Sequence, residues 1–526
     1  MNSSGSMNRV LDLEASRMYH SVLQMLGSVD SVSSRYIGDV QWTKESLFWL
    51  SAGIALIFSL GIFVTSRRRK QHNLPVVKVT SNNVVKFLED GHAKYPHQPF
   101  MLSLPGMEMA VLPDSEIETI RGLPETDVSI KKHHYDVFLG EYSYMGTKAD
   151  EFDSTMRNVL TRRTPALLAS FNAEVEYAVN KMIGPCKEAT LIKPRYAMSR
   201  IASIMSGRAF VGLPLSRQDA WVEATVDYTA GVSRAWLVLR LIPWPLRFFI
   251  APFLSQVKAL KHQRKLNEDM LAPVIASKQA GDRKDEKIPG GDMLDWFISQ
   301  YDRPPNAQQL GRDQLLATFA SIYNLSNALS YIVFDLAALS SEEVQLMRDE
   351  VSAHVGEDGI VDKSNLPKLK KLDSFAKESQ RLSPPSLVNI PRIVTNPKGL
   401  RCSTGEVLPQ GTRMTIHAHV INQNPKLYPN PSEFQPFRFS SLREVPGNEN
   451  KYQHATTGID NINFGHGIWA CPGRFFASAE IKIVLAYILR HYDVTLQPGQ
   501  EKPKQQHFGL AILPDPEAEV VFKART

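Results

Sequence analysis

Cysteine is scarce in this chain: three residues in 526, Cys186, Cys402 and Cys471. An odd, sparse count argues against a disulfide framework and fits a reducing compartment. No Cys-x-x-Cys or His-Glu-x-x-His pattern occurs, so zinc has no recognisable ligand set. Charged residues are also few, 22% of the chain, and the net charge of +6 is mild for this length. No basic run interleaved with aromatics appears, so nucleic acid is not an expected partner. What the chain does have is apolar residues, 43% of the total, enough to bury a large core.

One apolar run is long. From Ser46 to Thr65 there is no charge over about 20 residues, the length of a membrane-crossing helix, and Arg67-Arg68-Arg69-Lys70 follows at once. The positive-inside rule places that cluster and all that follows on the cytosolic side. The expected organisation is a luminal tail over 1–45, a transmembrane helix over 46–66, a basic stop and proline hinge over 67–75, and one domain over 76–526. A second apolar segment, 235–254, carries Pro243, Pro245 and Pro252 and cannot be a simple spanning helix. Its two tryptophans and two arginines suit a segment lying in a membrane interface.

The rest reads as mainly helical with a small β portion. Asp150 to Met182 is helical in pattern, with an expected break at Thr164-Pro165. Leu310 to Leu339 is apolar nearly all round, so its mid-helix polar groups Ser321, Tyr323 and Asn324 need partners. Lys377-Glu378-Ser379-Gln380-Arg381 puts Glu378 and Arg381 on one helix face, and Phe434-Gln435-Pro436-Phe437-Arg438 follows about 55 residues on.

The most specific stretch is Phe464-Gly465-His466-Gly467-Ile468-Trp469-Ala470-Cys471-Pro472-Gly473-Arg474, followed by a helical pattern to Leu489. Glycines permit positive φ and close backbone approach to a flat ligand. A cysteine just before a helix start gains thiolate character from nearby N–H groups and the helix dipole. A thiolate is a strong axial ligand for haem iron and pushes electron density toward O–O cleavage.

The spacing Phe-x-x-Gly-x-x-x-Cys-x-Gly closely resembles the haem-ligand loop of cytochromes P450, and motif order resembles the microsomal type, most of all filamentous-fungal enzymes of secondary metabolism. The resemblance implies a predominantly helical cytochrome P450 fold holding haem b, with Cys471 as axial iron ligand and Phe464, Gly467 and Gly473 shaping its loop. Arg392 and Arg157 are the implied haem-propionate partners. Glu378, Arg381 and Arg438 match the Glu-Arg-Arg cluster that pins the segment ahead of the cysteine loop. Ser386, Leu387, Val388 and Ile390, with Phe508 and Leu510 in a C-terminal hairpin, are implied to face substrate.

The implied reaction is monooxygenation of a lipophilic, terpenoid-like small molecule with O2 and electrons from NADPH–cytochrome P450 reductase, at the endoplasmic reticulum membrane with the catalytic domain in the cytosol. The chain departs from the family's pattern twice. The long central helix has Asn324 where a threonine is usual, leaving Asn324, Ser321 and Tyr323 as candidates for handling oxygen and protons. That departure also admits a P450-fold isomerase, dehydratase or peroxygenase that needs no reductase. Two positions before the cysteine stands Trp469, which offers only an indole N–H, so the propionate charge must be met elsewhere.

Overall fold

In the computed structural model the described residues are 73–525, apart from 82, 240–241, 243, 282–287 and 289–290. The chain divides into two units, Met1–Arg67 and Arg68–Thr526, and everything described here belongs to the second. The expected transmembrane helix over 46–66 and its basic stop over 67–70 lie outside the described residues. Among the described residues no helix is long and apolar enough to cross a membrane.

Helices dominate. Those that frame the site are α1 (Thr161–Met182), α2 (Pro194–Val211), α3 (Asp219–Leu239), α4 (Trp244–Ile250), α5 (Ser255–Gln279), α6 (Ala307–Thr318), α7 (Asn324–Ala337), α8 (Lys370–Leu382) and α9 (Arg474–His491). Nearly every side chain of α2 is buried, because it packs between α1 and α7. The main apolar core runs through α1, α2, α7, α8 and α9. The β portion is smaller. Its largest sheet has strand order Val76–Lys78, Phe100–Leu104, Met107–Leu112, Arg413–Ile416, Asn389–Val394, Val128–Ser129. A separate apolar cluster including Met101, Leu112, Ile390 and Met414 packs around it.

Two helices differ from their sequence patterns. The helical stretch from Asp150 is not broken at Pro165, which lies inside α1. A π-helical turn, Thr155–Leu160, precedes α1 and joins it to the helix Asp150–Ser154. The Thr164 hydroxyl donates to the Leu160 carbonyl at 2.9 Å, just ahead of the proline. The long central helix starts with a capping box between Asn306 and Gln309. It then widens into a second π turn, Phe319–Tyr323, between α6 and α7. One extra residue per turn shifts the register of everything beyond it, and such turns concentrate at functional sites.

Candidate active site

Cys471 is held by backbone. Its N–H donates to the Phe464 carbonyl at 2.7 Å, closing the loop on itself, and Gly473 caps α9 immediately behind it. Gly467 sits at φ +75°, and a Cβ there would lie 2.3 Å from the Arg121 carbonyl oxygen. Only glycine fits, because the loop is pressed against Arg121, whose carbonyl also accepts from the Ile468 N–H at 3.1 Å. The Phe464 ring meets His454 edge-on at 5.2 Å. Burial pushes the Cys471 thiol up, and the backbone N–H groups of Gly473 and Arg474, with the Arg474 charge, act against that by favouring thiolate.

The sulfur faces a cavity of about 450 Å³. Ala320, Ser321 and Asn324 form its wall on the central helix, and Phe464, Cys471 and Gly473 its wall on the loop. The wall is largely apolar, as a lipophilic guest requires. The Asn324 amide nitrogen donates to the Ala320 carbonyl at 3.1 Å, which leaves its oxygen and a second N–H free. Tyr323 does not reach the cavity wall. Its ring stacks on Phe319 at 5.8 Å, and burial pushes its hydroxyl pKa up, with the Arg195 charge acting the other way.

Trp469 does not point its N–H at the cavity, since that group donates to the Leu123 carbonyl at 2.9 Å. Its ring instead carries the Arg157 guanidinium, 4.1 Å from the centroid, at the cavity edge. Arg392 is 2% exposed, donates to the Pro391 carbonyl at 2.7 Å, and leaves its buried Nε without a partner. Desolvation lowers its pKa to about 10. Its charge, after burial, also lowers His134, to about 4, and His134 lines the cavity. Arg392 itself does not line the cavity, but its partnerless buried Nε is a donor that an anionic group would satisfy.

The Glu-Arg-Arg cluster is assembled and buried. Glu378 is fully buried and accepts two bonds from Arg381, each 2.8 Å. It also accepts from Arg438 Nε at 3.1 Å and from the Gln435 N–H at 3.0 Å. The remaining guanidinium protons go to carbonyls of Asn422, Pro429, Pro431 and Glu433, which ties the cluster to the segment ahead of the cysteine loop.

The six residues expected to face substrate sit elsewhere. Ser386 donates to the Leu510 carbonyl at 3.1 Å, and its segment pairs with the hairpin at Ala511. Leu387, Val388 and Ile390 go into apolar clusters, and Phe508 lies against Trp236. None of the six lines the cavity; their neighbours Pro385 and Ile512 do. Asn327 and His134 also line the cavity and were missed by sequence reasoning, since a lone polar residue in an apolar helical run carries no signal of which face it occupies.

A cysteine loop and a central helix with a π turn that line one cavity, with a buried Glu-Arg-Arg brace, define a haem-thiolate oxygenase. The chain belongs to the cytochrome P450 family, which it matches over residues 128–522. It is 59% identical over 482 residues to cytochrome P450 monooxygenase ataF of Aspergillus terreus, covering 91% of this chain and 98% of that one. To cytochrome P450 monooxygenase gliF of Aspergillus fumigatus it is 55% identical over 490 residues, covering 90% and 97%. Its fold is similar to that of retinoic acid bound cyanobacterial CYP120A1, with TM-score 0.65 and 18% identity over 87% of this chain and 100% of that one. The protein is thus a cytochrome P450 monooxygenase of the fungal secondary-metabolism type, and its cofactor is haem b.

Replacing Arg392 by Ala removes the buried cation and should weaken haem retention by about 1.5–3 kcal/mol, the worth of a hydrogen bond to a charged group. Arg157→Ala should cost less, because that side chain is more exposed. Haem transfer to an acceptor protein measures both; equal, negligible losses would remove the two arginines from the haem site.

Proposed function

We propose that Cys471 ligates the haem iron and that the enzyme inserts one atom of O2 into a lipophilic, terpenoid-like small molecule with electrons from NADPH–cytochrome P450 reductase. The observation that carries this reading is a backbone-fixed thiol facing a largely apolar cavity. Haem, when bound, supplies the redox centre for O2 activation. The chain's own part is to hold the thiolate by Gly473 and Arg474 N–H groups, to meet the propionates with Arg392 and Arg157, and to keep water out with the apolar wall. Asn324 and Ser321 present polar atoms on the central-helix wall of the cavity. A panel of terpenoids and polyketides, screened for substrate-induced spectral shifts and then for NADPH-dependent products, tests the substrate class; turnover without NADPH would instead favour the isomerase, dehydratase or peroxygenase reading that Asn324 admits.

The same proposal places the enzyme on the endoplasmic reticulum membrane, anchored by residues 46–66, with the catalytic unit in the cytosol. A surface feature supports a second contact. On α4 and the turn after it, Phe248, Phe249 and Phe253 are 74%, 66% and 77% exposed. Three adjacent exposed phenylalanines are costly in water, and immersing each is worth roughly 1.5–3 kcal/mol. A chain lacking residues 1–67 should still co-sediment with phospholipid vesicles and lose that binding when all three become Ser. Unchanged sedimentation of the triple variant would remove this contact.

A further inference from the structure

Several polar side chains of α7 are satisfied within the fold. Asn324 donates to the Ala320 carbonyl. Ser326 Oγ donates to the Tyr323 carbonyl at 3.0 Å and accepts from Arg195 at 3.0 Å. Ser330 Oγ donates to the Ser326 carbonyl at 2.6 Å. Asn327 and Tyr331 break this pattern. Each is 3% exposed, and each lines the cavity. Neither the amide nitrogen nor the amide oxygen of Asn327 has a hydrogen-bond partner, and the Tyr331 hydroxyl has none either. The Tyr323 hydroxyl is near enough to Asn327 to feel it, without a hydrogen bond of normal geometry between them. On α8, Gln380 also lines the cavity, and its buried amide oxygen is unpartnered.

A buried donor or acceptor without a partner has lost its water and gained nothing, so these atoms await a ligand group. Asn327 and Tyr331 are four positions apart and share one helix face, one and two turns past Asn324. The set is neutral, with donors and acceptors mixed. An anionic group would set its charge against the Asn327 and Gln380 oxygens. An ammonium would find no carboxylate there, because the neighbouring Asp335 pairs with Lys502 and does not line the cavity. Arg195 does not line it either. A hydroxyl would offer donor and acceptor on one atom, whereas Asn327 presents them on two atoms of one amide. The group that meets both at once carries its own donor and acceptor side by side, as a primary amide or a ring-held cis amide does.

We propose that Asn327 and Tyr331, with Gln380 Oε1 as a further acceptor on α8, form a polar subsite that selects substrates carrying an uncharged amide, a lactam above all, on a lipophilic body. This rests on the monooxygenase reading above and narrows its substrate. The lactam N–H donates to Asn327 Oδ1 while its carbonyl accepts from Asn327 Nδ2. The Tyr331 hydroxyl donates to the second lone pair of that carbonyl. The apolar remainder of the wall takes the body of the guest. A guest without the amide is rejected, because the buried polar atoms of the site then stay unpaired.

The test uses the full chain with haem and one aryl-substituted ring in four forms: the lactam, its N-methyl derivative, the lactone and the plain carbocycle. The second and third lack the donor, and the fourth lacks donor and acceptor. Equilibrium dialysis gives the dissociation constants and needs neither an iron response nor turnover. Wild type should bind the lactam about tenfold or more tighter than each of the others. Asn327→Leu keeps the side-chain volume and removes both polar atoms. It should bring the lactam within about twofold of the carbocycle and leave carbocycle binding unchanged. Tyr331→Phe removes a single oxygen and should lose about threefold of the preference. Wild type that binds lactam and carbocycle within about twofold of each other leaves the unpartnered atoms to ordered water and overturns the subsite. So does a lactam preference that survives in both variants. Should Asn327→Leu fail to hold haem, the wild-type series and Tyr331→Phe still decide. A wild type without the thiolate-type reduced-CO band overturns the monooxygenase reading instead, and dialysis still decides the subsite.

Discussion

Glu378→Ala yields a protein that retains little haem and unfolds at lower denaturant. The carboxylate is fully buried and holds two guanidinium groups and the Gln435 N–H at once. Removing it strands Arg381 and Arg438 as buried cations with only carbonyl partners, a loss of about 3–5 kcal/mol. Domains are stable by only about 5–15 kcal/mol, so this is a large fraction of the total. The damage reaches the haem site because the same arginines hold the carbonyls of Pro429, Pro431 and Glu433. Haem content per chain and urea midpoints check the result. A variant with full haem content and an unchanged midpoint would mean that the brace does not hold the loop.

Cys471→Ala abolishes NADPH-dependent oxidation while the fold survives. The Cys471 side chain makes no hydrogen bond that the fold depends on; the loop is closed by its backbone N–H to Phe464, which alanine keeps. The α9 start behind Gly473 and the Gly467 contact with Arg121 are likewise backbone features. Circular dichroism and thermal midpoint should therefore stay close to wild type, while product formation falls to background. Retained oxidation would remove the sulfur from the chemistry.

The cysteine loop was legible through its close resemblance to a family motif; in the Glu-Arg-Arg brace only Glu378 and Arg381 form a local i, i+3 pair, and Arg438, 60 residues from Glu378, was implied by the same resemblance. What lay beyond was set by contacts between distant segments. Gly467 is needed for a reason the motif does not reveal, the Arg121 carbonyl pressed against it. The Arg157–Trp469 stack joins residues 312 positions apart, so the sequence offered Arg157 and Trp469 separately but not their contact. The π turn at Phe319–Tyr323 has no composition signal, yet within it Tyr323 misses the cavity wall and Ser321 meets Ser206. The expected substrate-facing segments came close to the wall, one residue off at Pro385 and two at Ile512, because which residue of a segment turns inward is set by its packing against distant segments.

The account turns on the bond between the residue-471 side chain and iron. The most direct measurement is the reduced-CO difference spectrum of purified full-length protein beside its Cys471→Ala variant. The account predicts the band characteristic of thiolate-ligated haem in the first and its disappearance in the second. Protein without pigment, or the same band in both, would contradict it.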